Sequence, residues 1–149
     1  IILILINACA GYKPIYTTDL QFRIADYSIK SNKKLGRQIY SKLYNLSKRQ
    51  KNSQNIRAIK ILIDATKNKN TTSKDSAGKI LEYKIELNVS IKINDFLTNN
   101  MIIDQTFISS TNYKAQDQYF ETIKLENAST ENLINNLYQK LLIELSQNI

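Results

Sequence analysis

From Leu81 to Asn94 apolar and polar residues alternate without a break. Leu81, Tyr83, Ile85, Leu87, Val89, Ile91 and Ile93 stand against Glu82, Lys84, Glu86, Asn88, Ser90, Lys92 and Asn94. Successive side chains of an extended strand point to opposite faces, so this stretch reads as one long strand with a buried face and a wet face. Whatever else the chain builds must cover that single apolar face. With 149 residues it has enough material for one domain with a real core.

The covering elements are legible on either side. Leu20, Phe22 and Ile24 alternate, and Tyr27 and Ile29 resume the phase one residue late, which predicts a first strand with a bulge. Ser31 or Asn32 can cap a following helix. In that helix Leu35, Ile39, Leu43 and Leu46 form one apolar face ending near Arg49, and Gly36 predicts close packing. Residues 51–55 are a polar turn, and Ile59, Ile61, Ile63 and Ala65 mark a second strand. Residues 67–76 contain no apolar side chain and read as a mobile hairpin tip. After the long strand, residues 95–100 turn the chain and Met101 to Thr111 form a fourth strand. A closing helix runs from about Ala115 to Ser146 through Phe120, Ile123, Ile134, Leu137, Leu141 and Leu145, with a weak middle at 127–130 where a kink is expected. The order is β-α-β-β-β-α. It predicts an α+β two-layer sandwich: a four-stranded, mostly antiparallel sheet with two helices on one face. The other sheet face is polar.

Composition removes much of the catalytic menu. The chain has no His, one Cys and three Gly residues. A His general base, a Cys₂His₂ or Cys₄ zinc site and a CxxC redox pair are excluded, and glycine-rich phosphate loops are unsupported because no glycine falls in such a motif. Ser31 and Lys34 reproduce an SxxK spacing, but the SDN and KTG partners of the penicillin-interacting enzymes are absent and the chain is too short for that fold. Glu82 and Glu86 fall on the wet face of the long strand with Lys84 between them, which suits solvated charge better than acid–base work. The expectation is a non-enzymatic protein with no metal or cofactor.

Formal net charge is +8. Lys30, Lys33, Lys34, Arg37, Lys42, Lys48, Arg49 and Lys51 fall in one stretch without an acid, and these eight match the whole excess. Such a cluster either is a solvated helix face or attracts phosphate-bearing partners such as nucleic acid, anionic lipid or a phosphorylated glycolipid. RNA binding of the RRM type is disfavoured, because the element order differs and the aromatic-glycine motif is missing.

Residues 1–8 begin with six consecutive Ile and Leu residues, too few to span a bilayer, which takes roughly 20. They read as the inner part of a lipoprotein signal peptide whose start lies upstream. Ile6-Asn7-Ala8-Cys9 resembles a bacterial lipobox. The lone thiol of Cys9 then becomes the lipid-attachment site, since a diacylglycerol can be joined to it as a thioether. Residues 9–19, with the only proline, Pro14, form a lipid-anchored tether, and residues 20–149 form the folded domain.

Cys9-Ala10-Gly11-Tyr12-Lys13-Pro14-Ile15-Tyr16 is similar to the Cys-Gly-aromatic-x-Pro-(Leu/Ile)-Tyr opening of the lipopolysaccharide-assembly lipoproteins of the LptE family, in their divergent alphaproteobacterial form. The first strand, the basic helix, the long hairpin and the closing helix follow in the same order. This resemblance implies an outer-membrane lipoprotein on the periplasmic side that plugs and helps assemble the LptD-type β-barrel and aids delivery of lipopolysaccharide to the outer leaflet. Ala10 after the Cys, rather than Asp, is compatible with sorting to the outer membrane. The physical candidates for anion contact are Lys67, Lys69 and Lys74 at the hairpin, then Lys33, Lys34 and Arg37 on the first helix. Another small periplasmic lipoprotein, serving a lipid-transport or secretion system, fits the same pattern.

Overall fold

Core and register follow from the alternating strand. The computed structural model describes residues 20–49 and 56–149. Six elements follow one another: β1 (Phe22–Ser31), α1 (Lys33–Lys48), β2 (Arg57–Lys74), β3 (Ile80–Asp95), β4 (Met101–Lys114) and α2 (Tyr119–Asn148). The sheet order is β1-β2-β3-β4. β2–β3 and β3–β4 are antiparallel hairpins, and β1 pairs parallel with β2. That parallel pair requires a crossover, which α1 supplies. Ile59, Ile61, Ile63 and Ala65 of β2 and Ile85, Leu87, Val89, Ile91 and Ile93 of β3 are fully buried. They share one core with Ile39 and Leu43 of α1 and with Ile134, Leu137, Leu141 and Leu145 of α2. This is the α+β two-layer arrangement read from the sequence.

Local signals are realised where they were read. The register of β1 on β2 shifts between Ile24 and Asp26, so Ala25 is the extra residue of the bulge. Without it the buried Ile29 would face water. Ser31 takes a positive φ of 58° to end the strand, and the Asn32 side chain accepts a hydrogen bond from the Leu35 N–H at 3.0 Å to start α1. A methyl at Gly36 would run into the Ile29 side chain, which is why the helix carries glycine there.

Two expectations are corrected. Residues 67–76 are not a mobile tip, because β2 continues to Lys74 in register with β3. Only Asp75 to Lys79 form the turn, where the Asp75 carboxylate accepts from the Ala77 and Lys79 N–H groups and Gly78 takes a φ of 84°. The rigid partner strand imposes extension on a segment with no apolar residue of its own. Likewise α2 runs unbroken through 127–130, and just before that stretch Glu126 is held by Lys67 and Lys69 of β2 and Tyr113 of β4.

β1 ends at Ser31, opposite Ala65, so β2 beyond Ala65 has a strand neighbour on one side only. The molecule therefore has two halves along the strands. At the first, β1 and the N-terminal half of β2 lie under α1. At the second, an arm formed by β2, β3 and β4 is covered by the N-terminal half of α2.

Candidate functional site

α1 packs on β1 and β2, α2 packs on β4 and β3, and the helices touch each other only lightly. A groove runs between them as three adjoining cavities. The first, about 490 Å³, is lined by Asn32, Lys34, Leu35, Gln38 and Lys67 on one side and Asn127, Thr130 and Glu131 on the other. The second, about 450 Å³, shares Lys34, Gln38 and Glu131 and adds Arg37, Ser41, Lys42 and Asn45. The third, about 310 Å³, continues past Asn45 to Arg49, Asn135 and Tyr138. The lining is amide-rich and cationic, with Glu131 the one acid.

The basic stretch read from the sequence divides on this groove. The Lys33 ammonium donates to the Ile29 carbonyl, and Lys42 pairs with Glu131 at 3.2 Å, the one ion pair joining the two helices among the described residues. Lys48 lies over the Tyr44 ring, 4.5 Å from its centroid. Lys34 and Arg37 are exposed and have no ion pair or side-chain hydrogen bond among the described residues, while both line the groove. They are cations with coordination to spare.

The hairpin lysines behave differently from the sequence expectation. Lys67 and Lys69 each reach one oxygen of Glu126 on α2, both at 2.7 Å. The Tyr113 hydroxyl donates to the same carboxylate at 3.1 Å, and Lys69 sits over the Tyr83 ring at 4.3 Å. Burial opposes ionisation of Glu126, yet hydrogen bonds and charge from the two lysines outweigh it and bring its pKa down to about 2. For Lys69 burial likewise opposes the charge, and the bonds to Glu126 and Tyr113 raise its pKa well above the ordinary lysine value. These two cations are therefore committed to a clamp between sheet and helix and are not free at a tip. Lys74, at the end of β2, is exposed and without an ion pair among the described residues. Sequence reasoning missed Glu126 and Tyr113. The available signal was that Glu126 falls on the helix face continued by Thr130, Ile134 and Leu137.

The opposite face of the sheet is polar and open. Lys60 pairs with Asp26 at 3.3 Å and Lys92 with Asp104 at 3.1 Å. Glu82 accepts from Thr72 and Asn112, and Glu86 faces Lys84 at 3.6 Å, so both carboxylates have polar partners on this face. The Ser31 hydroxyl donates to Asp64 at 2.6 Å rather than meeting Lys34. Among the described residues no group of acidic, His or Cys side chains could hold a metal ion, and no helix is long and apolar enough to cross a membrane. Cys9, the signal segment and the tether lie outside the described residues.

No protein-family profile matches the chain, and no curated protein sequence matches it. Solved structures do. A minor lipoprotein from Acinetobacter baumannii superposes with a TM-score of 0.60 at 18% identity, over 87% of this chain and 94% of that one. A lipoprotein B from Nitrosomonas europaea gives a TM-score of 0.61 at 15% identity, over 89% and 88%. The rare lipoprotein B from Shewanella oneidensis gives 0.54 at 13% identity, over 82% and 94%. At these identities what is shared is the fold: the chain adopts, over nearly its whole described length, the two-layer fold of these bacterial lipoproteins.

Proposed function

We propose that this protein is a lipid-anchored lipoprotein of the outer membrane that serves lipopolysaccharide transport and assembly as the companion of an LptD-type β-barrel. It acts by binding and handing over, without catalysing a reaction. Three features support this reading. The opening around Cys9 resembles that family, the fold is shared with bacterial lipoproteins, and the surface is divided between a polar sheet face and a cationic groove. A barrel lumen is itself polar and hydrated, so a plug must present a polar surface to it.

The observation that carries the proposal is the groove between α1 and α2 with its uncommitted Lys34 and Arg37. Phosphate and carboxylate groups on a glycolipid headgroup match a guanidinium and an ammonium set among amides, because the cations supply charge and the amides fix orientation. The charged and amide groups along the groove suit the headgroup end of such a lipid. Lys74 offers a separate charge at the end of the arm.

The test is equilibrium binding of lipopolysaccharide to the wild-type chain, to Lys34→Glu/Arg37→Glu and to Lys74→Glu. Charge-assisted contacts contribute about 1.5–3 kcal/mol each, so the double variant is expected to lose at least about tenfold in affinity. Unchanged affinity in the double variant means that the groove is only solvated.

A further inference from the structure

The turn joining β3 to β4 carries apolar side chains where a soluble hairpin would carry polar ones. Leu97 is 84% exposed, Met101 60% and Phe96 48%. The turn is held rather than loose. The Asp95 carboxylate accepts from the Leu97 and Thr98 N–H groups at 3.0 Å each and from Arg57 at 2.9 Å. The Asp95 N–H reaches the Asn100 carbonyl and the Phe96 N–H the Ala58 carbonyl, so the turn is tied to the start of β2. A rigid frame thus keeps Leu97 in water.

Topology places this turn at a particular end of the molecule. β1 and β2 are parallel, and β2 starts next to β3's end, so Phe22, Arg57 and the turn share one end. α1 returns to that end, bringing exposed Lys48 and Arg49 with it. The chain also enters there, since buried Leu20 precedes Phe22. Cys9 stands 20 − 9 = 11 residues before Leu20, a span that at ~3.3–3.6 Å per residue reaches at most about 40 Å. Apolar side chains, cations and the anchored terminus therefore converge on one end.

We propose that the β3–β4 turn is a bilayer contact: Phe96, Leu97 and Met101 enter the headgroup region of an anionic phospholipid membrane, with Lys48 and Arg49 beside them against lipid phosphates. The inference rests on the lipid-anchor reading of Cys9. The contact fixes orientation, with the β3–β4 turn at the bilayer surface and the β2–β3 turn at the far end of the strands. Apolar wedges flanked by cations are what an anionic interface selects.

The chain has no tryptophan, so a single introduced one reports without background. The lipid-modified full chain carrying Leu97→Trp, and separately Phe120→Trp at the opposite end, is reconstituted on phosphatidylethanolamine/phosphatidylglycerol vesicles with brominated acyl chains. Both positions are exposed, so neither change threatens the fold. The expected result is a blue shift and loss of most emission at position 97, with position 120 unquenched. Absence of quenching at 97 in protein that floats with the vesicles overturns the bilayer contact and leaves the anchor standing, as does equal quenching at both positions. Protein whose Cys9 carries no acyl group by mass, and which does not float, overturns the anchor reading and this inference with it.

Discussion

Replacing Glu126 by Gln keeps the shape of the side chain and removes the charge that two lysines share. The Glu126 side chain is only 15% exposed, against 22% for Lys67 and 33% for Lys69. Its pKa falls from an ordinary 4.5 to about 2. A shift of that size corresponds to at most ~3.4 kcal/mol, at 1.36 kcal/mol per unit. Screening at the more exposed lysine reduces this, so the expected loss at neutral pH is about 2 kcal/mol. For a domain of this size that lowers Tm by roughly 4–8 °C. The pH dependence gives the sharper test. A depressed carboxylate stabilises the folded state fully above its unfolded pKa, and the contribution disappears as pH falls from about 5 towards 2. Urea denaturation across that window should show wild type and Glu126→Gln converging as the medium becomes acidic. Equal stability at pH 7, or a difference that does not shrink on acidification, refutes the clamp.

Other consequences can be checked with simple variants. Glu126→Gln also releases Lys67 beside the groove and Lys69 nearby, so lipopolysaccharide affinity should hold or rise even as stability falls, as titration calorimetry would show. Gly36→Ala gains up to about 1 kcal/mol of helix propensity but overpacks against Ile29, for a net loss of about 1–2 kcal/mol in chemical denaturation. Ile29→Ala in the same chain should remove the clash, making the two changes non-additive. Leu137→Ala, at a fully packed core position, should cost about 2–5 kcal/mol in the same assay.

The parts of the fold that were legible in the sequence are those governed by periodicity. The alternation from Leu81 to Asn94 fixes which face of the sheet is buried, and the spacing of Leu35, Ile39, Leu43 and Leu46 fixes the face of α1. Even the phase slip at Ala25 is visible, because an apolar pattern that skips one residue needs a bulge. What was not legible is the arm. Residues 67–74 are strand because β3 templates them, and no local propensity in a run of Lys, Asn and Thr announces that. The candidate site divides in the same way. The excess of positive charge on the first helix was visible, but which cations remain uncommitted depends on partners distant in sequence. Glu126 takes Lys67 and Lys69, and Glu131 takes Lys42. Charge counting along the chain cannot resolve pairs 57 or 59 residues apart.

The central claim is companionship with an outer-membrane barrel, and it is tested most directly by recovering the native complex. A tag placed after Ile149 allows the protein to be purified from detergent-solubilised outer membranes and its partners identified by mass spectrometry. The account predicts one large β-barrel protein in equal amount with this chain. Recovery of the chain alone, or with soluble proteins and no barrel, contradicts it.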